Sequence, residues 1–575
     1  MKLNNHPYRT VALLLLVLLA ASCTNEDDFA ALPDEGTANV APLTITVTDG
    51  AYAPAQSPDD DNTPDTRAVE RGYATEFTKG DRIGLYVVEK EDASNPENTN
   101  REFLHENLCL THDGTGWTLP DGTELTHRPP EGGEILYFAY YPYQSDMTNK
   151  VDIDAREGNS KRRVTTEARW FFRPLINMWD PARYQDTYEA YTASDLMVVR
   201  GEVAKRTDGT DGSVLSFTME HQMVLMVIRV PTTKYIYTET IGGVTTEKSY
   251  RLYNKMEQLG LKPNNYTERF LVNPNHPYTS TFSHHYYNSS LKKCEFIVST
   301  QSLRGSPGGR YHLFTIDDGE ETVTERPLRE GDFYMKDGTI IPHENVKDDM
   351  PADVQEDCLG VVFWAGENEG QHWTQTDIGE GDHLLMRDHP GCVHGLVVAL
   401  HDASSGAAWA EGPGASEALY QWAVGFSGFN SEEQADWLAI WGSSFDQYGY
   451  CSSHIVKLYS AHHPDATFPA YNTISTYAAR HPAPGSSSGW FFPAWSELAM
   501  MCYGKAKNYD VADSKERRDL LNGLFQKAGG EKLVGRYWST LNYEYTGWSL
   551  DFDGQTFYGY NDKSTPNKVR AVLAF

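Results

Sequence analysis

Hydrophobic positions in the N-terminal half of the chain recur with the period of two that is typical of β-strands. Ile83, Leu85 and Val87 alternate with smaller or exposed residues, which predicts a strand with one buried face. In the stretch GGEILYFAYYPY, residues 132–143, both parities are apolar. We therefore predict a strand in the middle of a packed sandwich, covered on both faces. Pro142 should end this strand, because proline has no N–H to donate.

A second long stretch, SVLSFTMEHQMVLMVIRVP, repeats this pattern over residues 213–231. Its first part alternates apolar and polar residues, and then both parities are apolar up to Ile228. His221 lies on the core parity. Because a buried imidazole needs polar partners, we predict a hydrogen-bonded core histidine, with a ligand role as the less favoured alternative. The alternating apolar residues are Leu215, Phe217 and Met219.

From residue 331 onward the pattern mixes strand and helix periods, which predicts an α+β segment. The stretch PAWSELAMMC has a proline at a helix start and one apolar face. The stretch DSKERRDLLNGLFQKAGG begins with an Asp513–Ser514 cap and ends at Gly529. The side chains predicted to be buried in these two helices are Leu498, Met501, Cys502, Leu520, Leu521, Leu524 and Phe525.

The C-terminal stretch GRYWSTLNYEYTGWSLDFDGQTF is rich in aromatic residues that divide into two groups. The first alternates with polar residues and is predicted to be core, and Asp553–Gly554 after it is a signal for a two-residue hairpin. The second, Tyr543 and Tyr545 on either side of Glu544, falls in a loop and forms a candidate ligand-binding site for a sugar or a protein partner. The alternative is a loop with no binding role. The predicted core residues here and in the last strand are Trp548, Leu550, Phe552, Val569, Ala571, Leu573 and Phe575.

The composition excludes one class of partner. The formal net charge is −31, whereas binding to nucleic acid requires clustered cations. An acidic surface instead keeps a secreted protein soluble. Besides Cys23 the chain has six cysteines, whose spacing permits disulfides but indicates no pairing and no zinc motif: Cys109, Cys294, Cys358, Cys392, Cys451 and Cys502.

The N-terminus predicts export. Lys2 and Arg9 precede an unbroken apolar run over residues 11–21, which is too short to span a membrane, so residues 1–22 are predicted to be a signal peptide. The following LAASC resembles a bacterial lipobox, although Ala20 stands where leucine is more usual. The resemblance implies that Cys23 is acylated and anchors the protein to a membrane. An ordinary signal cut nearby, with Cys23 left as a thiol, is the alternative.

An acidic tether is predicted over residues 23–66. TNEDDF, just after Cys23, resembles the export signal that sends Bacteroidetes lipoproteins to the outer face of the outer membrane. The tether is rich in Asp, Pro, Thr and Ala, and such a segment buries too little apolar surface to offset its ordering entropy. A short strand at LTITVTD, residues 43–49, is the one exception.

Five stretches in order resemble the fimbrillin (Mfa-like) family of Bacteroidales lipoproteins: TRA, FTKGDRIGLYV, ILYFAYYPY, SDLMVV and LSFTMEHQMVLMVIRV. The resemblance implies two tandem transthyretin-like β-sandwich domains used as subunits of surface fimbriae. We place the first domain at residues 67–231 and the second at residues 232–330.

The segment 331–575 resembles the Fibrobacter-type major paralogous domain, whose architecture is similar to the C-type lectin fold. The resemblance is carried by GDFYMKDGTIIPHE, CLGVVFWAGE, GWFFPAWSELAMMC, YWST and VRAVLAF. The fold class expected for the whole chain is therefore mainly β, with an α+β C-type-lectin-like domain at the end. The calcium and sugar ligand triplets of classical lectins are absent from this sequence.

The fimbrillin resemblance also implies a route of assembly. In that family an arginine-specific protease removes the tether and first strand, which opens a groove for a strand donated by the neighbouring subunit. Arg67 and Arg71 lie where the tether meets the first domain and are the candidate processing sites. Two solvated arginines at a domain edge are the alternative.

Catalytic and metal-binding motifs are weak. GSSSG places Ser487 in the position of a nucleophile elbow, but RHPAPG precedes it where a buried strand is required. HPGCVH and AHHPD group five candidate ligands without the spacing of a zinc motif. We predict no enzyme activity, no cofactor and no metal site. Those candidate ligands are His389, Cys392, His394, His462 and His463.

These expectations converge on a tip-type fimbrial subunit at the cell surface that acts in adhesion through its lectin-like domain. The expected partners are other fimbrial subunits by donor-strand exchange, a host or bacterial surface glycan or protein, and the outer membrane through the lipid anchor. The alternative is a free-standing surface lipoprotein that binds glycans and does not join a fimbria.

Overall fold

The computed structural model describes residues 43–55, 73–90, 101–125, 127, 133–155, 166–206, 212–241, 244–256, 259–275, 281–365, 382–392, 394–428, 448–504, 515–553 and 559–575. The signal peptide, Cys23, Arg67 and Arg71 lie outside these ranges. None of the helices within them combines the length and the apolar character needed to cross a bilayer.

Strands outnumber helices in this part of the chain, as expected for a mainly β protein. The strands are β1 (Thr44–Asp49), β2 (Ala53–Pro54), β3 (Arg82–Lys90), β4 (Arg101–His112), β5 (Trp117–Thr118), β6 (Glu134–Tyr141), β7 (Met197–Arg200), β8 (Glu202–Lys205), β9 (Ser213–His221), β10 (Val224–Arg229), β11 (Thr232–Ile241), β12 (Val244–Arg251), β13 (Leu261–Asn264), β14 (Thr267–Val272), β15 (Thr281–Tyr287), β16 (Lys293–Ser299), β17 (Arg310–Thr315), β18 (Glu321–Glu325), β19 (Phe333–Met335), β20 (Ile340–Ile341), β21 (Cys358–Ala365), β22 (Gly395–Ala407), β23 (Arg536–Asn542), β24 (Thr546–Asp551), β25 (Gly559–Asp562) and β26 (Asn567–Ala574). The helices are α1 (Ala168–Phe171), α2 (Arg173–Met178), α3 (Tyr188–Ser194), α4 (Ala352–Gln355), α5 (His383–Asp388), α6 (Leu419–Gly425), α7 (Gly449–His462), α8 (Pro469–Arg480), α9 (Trp495–Tyr503) and α10 (Lys515–Lys527).

The first sheet has the order β1-β9-β7-β6-β3-β4-β5, with β8 also paired to β9. One face packs against α1, α2 and the second sheet, through residues such as Phe138, Phe171 and Leu225. The other face has its own core, which includes Leu85, Tyr137 and Phe217. Both faces are therefore covered, which explains why the central strands have apolar residues on both parities.

The second sheet has the order β13-β14-β10-β17-β2, and two smaller sheets, β12-β11-β18 and β15-β16, accompany it. β10 lies before the predicted domain boundary at residue 231, yet it pairs with β14 and β17 beyond it. The hairpin β15–β16 covers one face through Val298 and Phe296. Leu252, just after β12, bridges to Ile340 of β20, which connects the sheet β12-β11-β18 to the C-terminal segment.

The C-terminal segment is α+β, as the sequence predicted, around a sheet of order β20-β19-β21-β22-β26-β23-β24-β25. Helices α9 and α10 pack on one face through Leu498 and Phe525. Helices α7 and α8 pack on the other face through Ile455 and Ile474. The last strand, β26, pairs with β22 on one side and β23 on the other, so it lies inside the sheet.

Two strand predictions are confirmed and one needs correction. β1 forms where the short tether strand was predicted. β6 is central, buried on both parities, and ends before Pro142. The β3 prediction was wrong about exposure, because Tyr86 and Val88 on the opposite parity are also buried. Gly84 leaves room for the Tyr140 ring, because a Cβ atom at this position would lie 2.0 Å from that ring.

The two helix predictions are confirmed for α9 and for most of α10. Every residue of α9 is buried, and Gly529 follows α10 with a positive φ of 74°. The burial of Leu520 was predicted wrongly, since its side chain is 54% exposed. Leu521, Leu524 and Phe525 form the buried stripe, and Leu520 projects to one side of it. The Asp513–Ser514 cap lies outside the described residues.

The aromatic core predictions are confirmed, since Trp548, Leu550 and Phe552 are buried in or just after β24. All four apolar positions of the last strand are buried as well. β24 pairs with β25, with Ser549 opposite Gly559. The predicted turn at Asp553–Gly554 falls partly outside the described residues.

Candidate functional site

Residues 43–55, which we call the edge segment, form the outer strand of two different sheets. β1 runs parallel to β9, from Thr44 opposite Val214 to Asp49 opposite Met219. A few residues later, β2 runs parallel to β17 at the edge of the second sheet. Without this segment, β9 would present a row of unpaired N–H and C=O groups, and β17 would lose the partner of Arg310 and Tyr311.

Side chains of the edge segment also complete the core of the first sheet. Leu43 is buried and its N–H donates to the carbonyl oxygen of Leu125, which brings the two ends of the sheet together. Ile45 and Val47 pack against the core that contains Phe217. The segment therefore fills an apolar groove in addition to closing two sheet edges.

A buried ion pair fastens the edge segment, and we call it the His221 cluster. The Nε2 atom of His221 lies 2.7 Å from Oδ1 of Asp49, and its Nδ1 lies 3.0 Å from Oδ1 of Asp195. The Tyr52 hydroxyl donates to the same Asp195 oxygen at 2.7 Å, and its ring stacks on the imidazole with centroids 3.9 Å apart. Two of the four residues, Asp49 and Tyr52, belong to the edge segment.

The charges in this cluster reinforce one another. Burial by itself would lower the pKa of His221, but Asp195 and Asp49 outweigh it and raise that pKa to about 9. Burial acts to raise the pKa of Asp49, whereas His221 and the backbone N–H groups of Thr75 and Ala51 hold it below its ordinary value. At neutral pH a charged imidazolium therefore bridges the edge segment and the rest of the sheet.

The sequence prediction for His221 is confirmed, since it is a buried, hydrogen-bonded histidine. Its partners were missed. Asp49 and Asp195 are 172 and 26 residues away from it in sequence. Short-range periodicity contains no information about such pairs. The one sequence signal is the acid that ends the alternating strand in TVTD.

The candidate loop at Tyr543–Tyr545 is the tip of a tight hairpin between β23 and β24. The Tyr543 N–H donates to the carbonyl oxygen of Thr546 at 2.8 Å. The Tyr543 side chain is 38% exposed and that of Tyr545 is 69% exposed. Tyr560 on β25, which the sequence analysis did not single out, adds a third exposed ring with its centroid 6.3 Å from that of Tyr543.

The residues of the weak catalytic and metal motifs lie in different parts of the structure. Ser487 is buried, and its hydroxyl donates to the carbonyl oxygen of Pro484 at 2.7 Å. His463 stacks on Tyr459 with centroids 4.0 Å apart, and His462 is the last residue of α7. His389, Cys392 and His394 line a cleft.

Only one group of three candidate metal ligands comes together within the described ranges, namely Asp332, His343 and Glu344. A cation already occupies it, because the Arg326 guanidinium binds both carboxylates. Its Nη1 and Nη2 lie 2.8 and 2.9 Å from the Asp332 oxygens, and its Nε lies 2.7 Å from Glu344. This arrangement, the Arg326 hub, joins the strand β18 to the C-terminal segment.

All six cysteines in the described part of the chain are free thiols. Burial raises the pKa of Cys358 to about 12 and that of Cys392 and Cys502 to about 11. A thiol with such a pKa holds its proton at neutral pH and is a poor nucleophile.

The fold and the edge segment together define a mainly β protein in which an N-terminal strand closes the edges of two sheets. Residues 66–257 match the family model described as Fimbrillin-like, so this part of the chain is similar to that family.

Two relatives cover most of the chain. A Bacteroides ovatus protein provisionally named "fimbrium tip subunit Fim1C" is 27% identical over 476 residues, which is 76% of this chain and 78% of the relative. A crystal structure of a fimbrial protein from Bacteroides ovatus has a TM-score of 0.56 and 21% identity, and covers 93% of this chain and 99% of its own. The similarity to this crystal structure establishes that the two proteins share a fold.

Proposed function

We propose that this protein is a fimbrial subunit at the cell surface that acts in adhesion. The observation that carries the proposal is the edge segment, one short stretch that closes two sheets and fills an apolar groove. The fimbrillin-like match and the fimbrial relatives support the same conclusion. The fimbrial relative and the fimbrillin-like match also favour a role without catalysis.

Assembly is proposed to occur by strand exchange at the edge segment. Cleavage at Arg67 or Arg71 would separate residues 43–55 from the rest of the chain, and the vacated edge of β9 would accept a strand from another subunit. Parallel pairing with β9 supplies the backbone hydrogen bonds, and the groove lined by Leu215, Phe217 and Met219 accepts alternate apolar side chains.

The tip is the proposed position of this subunit in the polymer. β26 is paired on both sides, and the side chain of Phe575 after it is buried, so this strand cannot leave to serve a neighbour. The subunit can accept a strand but does not donate β26. The name of the Bacteroides ovatus relative, which includes a tip position, is consistent with this placement.

The receptor contact is proposed to lie on the C-terminal domain, 331–575, beyond two β-sandwich domains at 67–231 and 232–330. Its exposed aromatic residues, Tyr543, Tyr545 and Tyr560, are one candidate surface. We also propose that the precursor is anchored in the outer membrane through a lipid on Cys23, before cleavage at Arg67 or Arg71 removes that residue.

The anchor is tested by replacing Cys23 with serine. Without a thiol for acylation, the variant should lose labelling by a clickable fatty acid and partition away from the membrane. Ser22→Ala serves as the matched control and should still be labelled. Unchanged labelling and membrane partitioning of C23S would show that Cys23 is not the anchor.

The tip position is tested by immunogold labelling of whole cells with an antibody against residues 331–575. We expect one gold particle at the distal end of each fimbria. Particles spaced along the shaft would contradict the tip position, and labelled cells without fimbriae would favour the free-standing lipoprotein.

A further inference from the structure

A cavity of about 470 Å³ opens where the hairpin β11–β12 meets the C-terminal sheet. Residues 388–392 and His394, together with Gly485 and Ser486 at the start of GSSSG, form one wall. Tyrosines of the hairpin form the opposite wall, and buried side chains form the floor. The hairpin contributes Tyr237, Ser249 and Tyr250, the facing wall contributes Asp388, His394 and Ser486, and the floor contains Tyr334 and Phe575.

The walls of this cleft are held in place before any ligand arrives. The Arg326 hub joins β18 to the C-terminal segment, and its Nη1 also contacts the Tyr250 hydroxyl. The N–H of Tyr253 donates to the carbonyl oxygen of Ile340 at 3.0 Å. A preformed cleft costs little conformational entropy when a ligand binds.

Aromatic rings supply much of the lining. Tyr237 and Tyr250 lie edge to face with centroids 6.2 Å apart on one wall, and Tyr334 and Phe575 lie 4.5 Å apart at the floor. The negative face of an aromatic ring attracts weakly positive C–H groups and excludes water. Such walls suit a ring that has C–H groups on its face and hydroxyls around its edge.

Polar groups at the rim are acceptors or neutral donors. Burial, assisted by the charge of Lys248, lowers the pKa of His394 to about 4, so its imidazole is neutral at physiological pH. Its Nδ1 lies 3.3 Å from the Tyr237 hydroxyl.

Among the described residues that line the cleft, Asp388 is the one acid, and there is no lysine or arginine. The Asp388 carboxylate lies 3.0 Å from Nε of Arg387 and accepts a hydrogen bond from the Tyr450 hydroxyl at 3.2 Å, so it is a fixed acceptor at the rim. An anionic ligand would meet no cation among these described lining residues, and the protein as a whole has a net charge of −31.

We propose that this cleft binds a neutral saccharide. The tyrosine walls stack on the sugar ring, and Asp388 and Ser486 accept hydrogen bonds from its hydroxyls. A volume of about 470 Å³ falls within the range of about 300–1,000 Å³ that is usual for small-ligand sites. This inference gives the chemistry of the receptor for the proposed adhesive function. Its biological role rests on that function. Saccharide binding in solution is independent of it, because binding does not require assembly into a fimbria.

The test is a glycan array probed with the purified full-length mature chain, followed by calorimetry with the methyl glycosides of the bound terminal sugars. Ser249→Trp places an indole in the cleft from an exposed strand position. Asp388→Asn removes the acceptor charge. Tyr545→Ala is the matched control in the hairpin at Tyr543–Tyr545. We expect neutral glycans to bind, S249W to weaken binding at least tenfold, D388N to weaken it several-fold, and Y545A to leave it unchanged.

Three results would overturn the proposal: binding of acidic glycans alone, no glycan binding at all, or binding that survives S249W. Loss of binding in Y545A alone would assign the sugar site to the hairpin tip instead. Saccharide binding by a protein that is never found at fimbrial tips would refute the proposed tip position and support the saccharide site. Tip labelling without saccharide binding would support the tip position and refute the saccharide site.

Discussion

Replacing His221 with alanine should lower the free energy of unfolding by about 3–5 kcal/mol, because Asp49 and Asp195 would remain buried without their cation. Tyr52→Phe, which removes one hydrogen bond to Asp195, should cost about 1 kcal/mol. Glu220→Ala, an exposed neighbour, is the control and should change stability by no more than about 0.5 kcal/mol. Urea unfolding followed by tryptophan fluorescence measures all three.

The same cluster predicts a dependence on pH. The pKa of His221 is raised from 6.5 to about 9, so its contribution to stability is complete below pH 6.5 and is lost as the pH rises through 9. The pKa of Asp49 is lowered, so its contribution is present above its ordinary value of 3.8 and is lost in more acidic solution. The stability difference between the wild type and His221→Gln should therefore shrink between pH 6.5 and 9. A constant difference over that range would contradict the ion pair.

Replacing Arg326 with alanine should have the second largest effect, a loss of about 3 kcal/mol. This is the low end of the range for breaking a buried pair, because Asp332 keeps the backbone N–H groups of Arg329 and His343 as donors. The side chain of Asp332 is fully buried, whereas the second carboxylate, Glu344, is 43% exposed.

Arg329→Ala is the matched control for the Arg326 hub. Its side chain is 52% exposed and lies 3.5 Å from Glu344, so its removal should cost about 0–1 kcal/mol. Thermal unfolding and limited proteolysis at the junction between β18 and β19 measure both variants. Equal effects of R326A and R329A would show that burial of Asp332 does not govern this junction.

The local sequence pattern was enough to predict strands and helices in which apolar residues recur at a regular spacing. β6 was predicted as a central strand because both of its parities are apolar, and Leu521, Leu524 and Phe525 were predicted to be buried because they recur at helical spacing. The burial of Tyr86 was not predicted, because the residues that cover this face of β3 come from α1 and α2, which are far away in sequence. Periodicity describes one element at a time and not the layer packed on it.

The candidate sites were harder to predict for the same reason. The His221 cluster joins residues from β1, from the end of α3 and from β9. The saccharide cleft joins HPGCVH and GSSSG to tyrosines of β11 and β12. Each motif is too weak to interpret alone, and only the fold brings both to one wall, opposite the tyrosines. The loop at Tyr543–Tyr545 could be predicted as a candidate because its two tyrosines are separated by a single residue in the sequence.

The account depends most on the edge segment being replaced when the subunit assembles. The direct measurement is intact-mass and N-terminal analysis of this protein recovered from purified fimbriae. We predict a chain that begins at Ala68 or Gly72 and lacks residues 43–55. Recovery of a chain that begins at an acylated Cys23, with residues 43–55 still attached, would contradict assembly by strand exchange at this edge.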